Sequence, residues 1–465
     1  MSCAVALAES GVRVRLLEKK PHLGGRATSY TLPDGSEVDN CQHLTLGCCT
    51  NLADFFRRVG ADGKIRTYDQ LYLVDRTGAH ATMKAGILPP PFHMAGSMAF
   101  FGALSTADKR CIGRALVQIA RAGGRPAGID GITMLEWLRR MEQTPEAIAR
   151  FWRVVLVSAL DEELELAEAR YGIDVFWKTF LASRAGYRVG LPYVPLAELY
   201  EGCGTSIARQ GGEVKLRSGV KEIRVEDGRF AGAVQEDGAP LEADACVAAV
   251  AHDVLPELLP RVMSEKGGPL AGLHQLKTSP ITSVHLWYDR AVMDGPYLAL
   301  IDYTTQWIFN KTYLYRPANA NGASGSGEQR QYLQLVISAS YDLVPRSRQE
   351  IIDLCCKELA EALPRTAEAK LLKATVIKEV HATFSPTPGV DELRPGQQSG
   401  VAGLYFAGDF TRTGWPSTME GAVRSGYLAA EAVMASFGES KKFLQPDLPL
   451  EGFSRYWASR REARS

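Results

Sequence analysis

Three stretches of this chain predict an α/β fold in which a parallel, doubly wound nucleotide-binding sheet carries an inserted α+β domain. The first is residues 403–430, GLYFAGDFTRTGWPSTMEGAVRSGYLAA. Its apolar run 404–407 has the character of a buried parallel strand, and Gly408-Asp409 ends it. A small-residue loop follows, and Ser417-x-x-Glu420 matches a capping box, so a helix is expected to start near Thr418. The second stretch is the N-terminus. Residues 3–8 read as the tail of a small-residue helix, Gly11 as its C′ residue, and 12–18 as a strand that ends on Glu18. The third is Gly24-Gly25-Arg26, where two glycines permit close backbone approach and a guanidinium offers a fork of donors.

In the first stretch, a helix N-terminus offers free N–H groups and partial positive charge to an electron-rich, anion-forming group. Asp409 stands at the C-terminal end of a strand, where open α/β sheets bind ligands. In the second, the spacing from Ala4 to Glu18 fits the latter half of a dinucleotide-binding βαβ unit, whose terminal acid accepts hydrogen bonds from ribose hydroxyls. By the same spacing the last glycine of a G-x-G-x-x-G loop falls just before Met1. The first strand and the glycine loop are therefore expected to be missing from this sequence, which would begin inside the helix.

Bulk composition excludes several classes. The chain has 465 residues, 46% of them apolar, enough for two or three domains with a sizeable core. Lysine plus arginine and aspartate plus glutamate each number 53, so charge gives no case for nucleic acid. The nine cysteines show no C-x-x-C spacing, which predicts reduced thiols, no metal cluster and a cytoplasmic setting. No apolar run reaches the ~18–20 residues of a membrane span. Glu9, Arg13 and Arg15 interrupt any signal-peptide pattern.

Between these landmarks the elements follow in order. Residues 38–47 form a polar cluster in an apolar context, in which Asp39, Gln42 and His43 are candidates to line a ligand face. His43 and Asp39 are the catalytic candidates, although a lone histidine is more often a satisfied core group. From 82 to 105 come three consecutive prolines and an apolar stretch with almost no charge. It reads either as a membrane-contacting surface and greasy mouth near 83–105, or as a buried helix of a cap domain. Helices are expected at 114–122, 134–141, 145–157 and 163–181. A glycine-closed helix over 204–211 leads to strands at 218–223, 225–233 and 246–250. Strands at 282–288, 306–309 and 331–338 suggest a mixed sheet under a pocket, with a loop at 319–329. A helix at 350–362 and a strand at 374–382 lead back to the first motif. The nucleotide-binding domain is thus discontinuous, from 1–80, 195–255 and 380–440. Residues 81–194 and 256–379 form the substrate domain, and 441–465 a peripheral tail.

The stretch GLYFAGDFTRTGWPSTMEGAVRSG resembles the C-terminal flavin signature of the FAD-dependent amine oxidase and phytoene desaturase superfamily. That resemblance implies a Rossmann-like FAD-binding domain. Asp409, after Gly408, approaches the ribityl-pyrophosphate, and Met419, Glu420, Gly421 and Ala422 present a helix N-terminus to the flavin ring. It also assigns Glu18, Gly24, Gly25 and Arg26 to FAD, and Val220 to the adenine. Further segments, VDNCQHLTLGCCTN, PPPFHM, VHLWYDR, QWIFNK, LVISAS and HATFSPTPGVDELRPGQ, resemble one branch. It is the squalene-associated FAD-dependent desaturases, described as hydroxysqualene dehydroxylases of bacterial hopanoid pathways. The branch usually has Gly where Cys41 stands here.

The implied chemistry is hydride delivery from reduced FAD to hydroxysqualene as its hydroxyl leaves, giving squalene. His43, Asp39 and Arg26 are candidates for the polar work. Trp307, Phe309 and Trp415 are candidates for pocket walls, although core packing suits these aromatics better. The implied partners are an isoprenoid lipid, a peripheral contact with the inner membrane face, and squalene-forming enzymes. A carotenoid or phytoene-type desaturase using oxidised FAD is the alternative, since one flavin atom serves both directions. An amine oxidase would want an aromatic cage and a flavin-facing lysine, and neither is placed. An inactive, truncated homologue is the non-enzyme reading.

Overall fold

Small side chains decide how the first helix, Ser2–Glu9, sits. Its residues from Ser2 to Ala8 are buried, and it packs against helices Met419–Ser436 and Glu201–Ala208. The approach is so close that a Cβ at Gly426 would fall 2.1 Å from Ser2 Oγ. The helix ends as expected, with Gly11 in the left-handed region at φ +86°. The computed structural model describes residues 1–315 and 330–462, and the expected loop at 319–329 lies outside the described residues.

The strand that follows, Arg15–Leu17, is shorter than the predicted 12–18 and pairs in parallel with Glu213–Lys215. A second parallel pair joins Cys246–Ala248 to Leu404–Phe406. Beside these, Val220–Glu226 and Arg229–Gln235 form an antiparallel hairpin. The strand predicted over 225–233 is broken there, because Asp227 and Gly228 both adopt positive φ, 49° and 72°. An Asp-Gly pair with that geometry is a hairpin turn, not a strand interior.

The other half is built on a seven-stranded sheet. Its order is Leu371–Phe384, Thr278–Tyr288, Gln331–Ile337, Trp307–Asn310, Tyr297–Leu300, Gln70–Val74, His80–Lys84. Residues 70–80, expected in the nucleotide-binding part, therefore belong with 81–84 to this sheet, where Gln70–Val74 runs parallel to Tyr297–Leu300. Helix Arg348–Ala362 covers part of one face. The expected helices appear at Thr106–Arg121 and Met134–Arg140, both started by capping boxes, and over 145–160 and 169–181. The last two contain π-helical turns at Ile148–Trp152 and Trp177–Leu181. Trp152 and Phe176, with ring centroids 4.5 Å apart, anchor this layer.

The segment after residue 440 is not peripheral. The Phe443 and Leu444 amides donate to Glu431, and the Gln445 amide to Asn51 Oδ1 at 2.8 Å. Six residues on, Glu451 accepts from Ser183 Oγ at 3.0 Å and from the Arg184 amide. Helix Gly452–Glu462 then packs on Thr106–Arg121. Backbone hydrogen bonds, invisible to composition, turn an apparent tail into a strap across both halves.

The halves also share a buried ion pair. Lys311 Nζ lies 2.6 Å from Asp39 Oδ2, the two side chains 0% and 1% exposed. Gln42 Oε1 accepts a second Lys311 proton at 2.8 Å. Asp39 also accepts from Ser29 Oγ, the Leu196 amide and Tyr315 OH. Burial alone would raise the Asp39 carboxyl, but Lys311 and these donors hold it below its ordinary value. Asp39 was a catalytic candidate; with its acceptor positions filled from within the fold, it is a structural group. Lys311→Met would strand its charge, so a loss of about 3–5 kcal/mol is expected, measured by urea denaturation. Because the folded-state value is depressed, the pair's contribution is present above the ordinary carboxylate pKa. It is lost as pH falls through the folded value.

Candidate functional site

Between the halves runs a cavity of about 2170 Å³. Strand ends, a glycine turn and a helix N-terminus supply its polar side. Glu18, the residue after strand Arg15–Leu17, lines it, as do Gly24, Gly25 and Arg26. Gly24 (φ +116°) must be glycine, since a Cβ would sit 2.7 Å from the Ala27 carbonyl oxygen and 3.0 Å from the Tyr200 ring. Gly25 (φ +63°) has open space where its Cβ would stand, so backbone is presented to the cavity.

Arg26 and Asp409 meet across this site at 2.5 Å. Arg26 also donates to the Ala382 carbonyl on strand Leu371–Phe384, and Ser417 Oγ donates to Asp409. Asp409 raises the Arg26 guanidinium further. Burial opposes the Asp409 carboxylate, yet Arg26 and Ser417 keep it below its ordinary value. The result is an ion pair on the cavity wall, ionised at neutral pH and anchored to both halves.

Helix Met419–Ser436 starts one residue later than a Ser417 cap would place it. Thr418 is the N-cap, accepting from the Gly421 amide at 3.0 Å. Glu420 does not close a capping box. Its carboxylate accepts the Asn51 and Leu52 amides, at 3.3 and 2.7 Å, and the Asn51 side chain. It thus caps helix Thr50–Arg58, and burial raises its pKa. Met419, Glu420 and Ala422 line the cavity. Gly421 does not; a Cβ there would lie 2.6 Å from the Pro416 carbonyl oxygen, so its role is steric.

Val220 and Gly408 line the cavity too, as do all three predicted wall aromatics. Trp307 and Phe309 are stacked, 6.0 Å apart with planes 15° from parallel, and Trp307 Nε1 donates to Ser158 Oγ at 2.7 Å. Trp415 carries Lys178 and Arg424 over its ring. His43 also faces the cavity, with Nδ1 3.0 Å from the Cys41 carbonyl oxygen. Burial lowers its pKa below the ordinary imidazole value. Cys41 lines the cavity beside it.

Sequence reading did not find the apolar wall from the helices, including Val154, Val155, Val175 and Phe180, nor Glu379 and Thr383 on the long strand. Their signal, a helix face or an alternating strand, is shared by any core element. Nor did it find that residues 242–251 line the cavity along the edge of strand Cys246–Ala248.

The donor set fits FAD. Glu18 would hold the ribose, Gly24–Gly25 and Arg26 with Asp409 the diphosphate region, Val220 the adenine, and the helix N-terminus at Met419 the flavin ring. Among the described residues no group of three or more His, Cys, Asp or Glu is placed to hold a metal ion.

The pattern of the flavin containing amine oxidoreductase family matches residues 1–434. The chain is 27% identical to the chloroplastic/chromoplastic 15-cis-phytoene desaturase of Solanum lycopersicum, over 96% of this chain and 78% of that protein. It is 26% identical to the zeta-carotene desaturase of Synechocystis sp., over 94% and 95%. Among solved structures it resembles an oxidoreductase from Methanosarcina mazei (TM-score 0.69, 16% identity, 93% and 97% covered), a likeness of fold. Asp409→Ala should lower the ratio of bound flavin to protein, read from visible absorbance of the purified chain. Glu420→Ala should instead cost about 1–3 kcal/mol in denaturant stability, because it orphans buried amides of a neighbouring helix.

Proposed function

The chain belongs to the flavin containing amine oxidoreductase family and is a FAD-dependent oxidoreductase, and from that premise we propose that it desaturates a long, linear isoprenoid hydrocarbon of the phytoene class. The observation that carries this reading is the state of His43. A carbonyl oxygen only accepts, so Nδ1, bound to the Cys41 carbonyl, carries the ring's proton. Nε2 then keeps its lone pair, and burial keeps the ring neutral at neutral pH. It is the one imidazole lining the cavity among the described residues. A neutral imidazole with a free lone pair takes a proton.

Desaturation asks for that group. One carbon loses a hydride and its neighbour loses a proton. When bound, FAD supplies the hydride acceptor. His43 takes the proton at Nε2. The stacked Trp307 and Phe309, with Trp415, offer π faces beside the electron-poor carbon. The apolar wall built by Val154, Val155, Val175 and Phe180 excludes water and holds the hydrocarbon.

A second reaction of the same substrate class is reductive removal of the hydroxyl from hydroxysqualene. The segment resemblances along the chain support it. It needs an acid or a strong hydrogen-bond donor at the leaving oxygen, and Arg26 on the cavity wall is the candidate for the second of these. The FAD-loaded chain should convert phytoene into a product carrying an added double bond, resolved by chromatography and mass spectrometry. Squalene formed from hydroxysqualene under reducing conditions, with phytoene untouched, would move the assignment to the second reaction. No turnover of either would end the isoprenoid reading.

His43→Gln should lower the rate by roughly 10²–10⁴-fold with flavin content unchanged. Since the working form is the neutral ring and its folded-state pKa is lowered, activity should be flat through neutral pH. Its acid limb should fall below the ordinary imidazole value.

A further inference from the structure

One surface feature stands outside the chemistry above. Between residues 83 and 105 the sequence carries a single charge, Lys84. The structure buries only one side of this stretch, at His93, Met94, Phe101 and Leu104, and leaves the other in solvent. Ile87 is 98% exposed, Phe100 91% and Leu88 48%. The short helix Ala95–Ala99 has no buried residue.

These apolar groups are held out on a fixed frame. The Gly86 amide donates to the His93 carbonyl at 2.7 Å, and the Lys84 amide to Ser97 Oγ at 3.0 Å. Arg184 donates to the Gly86 and Leu88 carbonyls. Scattered exposed apolar residues are ordinary on a soluble protein, but a braced cluster is not. The inward side of the same segment, through Phe92, Met94, Met98 and Phe101, lines the cavity. The exposed cluster therefore lies at the cavity's rim.

Helix Gly452–Glu462 extends the patch. Phe453 and Trp457 pack on Phe92 with ring centroids 5.9 and 6.0 Å away, and the Phe453 amide donates to the Pro90 carbonyl. Its outer side shows Phe453 and Tyr456, 49% and 48% exposed, beside exposed Arg455 and Arg460. The charges placed at the patch are mostly basic. Lys109 donates to the Ala99 carbonyl and Arg184 to the Gly86 and Leu88 carbonyls, and Lys84 begins the stretch. The nearest acids are spoken for: Asp108 is buried in the capping box of Ser105, and Glu451 accepts from Ser183 and the Arg184 amide.

We propose that this lip, residues 85–101 with helix Gly452–Glu462, docks on the surface of a lipid bilayer rich in anionic headgroups, so that the cavity opens into the apolar layer. Ile87, Leu88 and Phe100 enter the acyl boundary, and the lysines and arginines pair with headgroup phosphates. The contact involves one leaflet, since among the described residues no helix is long and apolar enough to cross a membrane.

The test uses the full FAD-loaded chain with sedimented vesicles of phosphatidylcholine, with and without phosphatidylglycerol. No isoprenoid is present, so the result is independent of the substrate reading. The chain should co-sediment with the anionic vesicles, less so in high salt. The double variant Ile87→Glu, Phe100→Glu should bind at least ~10-fold more weakly, with unchanged circular dichroism and thermal midpoint. The milder pair Ile87→Ser, Phe100→Ser should fall between. The proposal is overturned if the unmodified chain ignores both vesicle types, or if the variants bind as it does. It is equally overturned if the substitutions only dissociate a self-associated species that never binds vesicles, for then the patch is a protein interface.

Discussion

A single buried charge pair, Lys311 with Asp39, constrains how the two halves can meet. Two ions taken out of water are costly unless every remaining lone pair and proton is satisfied. Here Ser29, Leu196, Gln42 and Tyr315 complete the set, drawn from both halves. The backbone that carries Asp39 runs on through Cys41 to Gln42 and His43, so the geometry that satisfies Lys311 also aims the imidazole into the cavity. Moving either half by an ångström would leave a charge unpaired. The site inherits its rigidity from that penalty.

The second bond between halves lies on the cavity wall itself. Arg26 reaches Asp409 on the loop after one parallel strand and the Ala382 carbonyl on the longest strand of the other sheet. The pair is partly open, with Arg26 side-chain exposure of 39%, so it is weaker as a clamp than Lys311 with Asp39. Its value is positional: it fixes a cation and an anion where a diphosphate and its flavin would lie.

Much of this was legible in the sequence where local and global demands coincide. Strand Leu404–Phe406, Asp409 and the helix from Met419 each carry a local signal, and so does Gly11. Thirteen of the fourteen further residues named for cofactor, catalysis or pocket besides Asp39 and His43 line one cavity, Gly421 being the exception. What was not legible depends on partners far along the chain. Asp39 beside His43 reads as catalytic because the partner that makes it structural lies 272 residues away. Glu420 reads as its own helix's capping residue, while the amides it caps belong to Asn51 and Leu52. Residues 441–451 lack periodicity, so nothing local reveals that they hydrogen-bond to both halves. The Asp227-Gly228 turn was different: its local signal was present, and apolar residues on either side masked it.

The strap has a bearing on traffic. With residues 443–451 tied to Glu431 and Asn51 on one side and Ser183 and Arg184 on the other, the halves cannot part like a clamshell without breaking all these bonds together with both ion pairs. The long, linear substrate proposed above would then enter end first, as thread enters the eye of a needle. The bond that reacts would be set by its distance from the leading end of the substrate, with the depth of the cavity as a ruler.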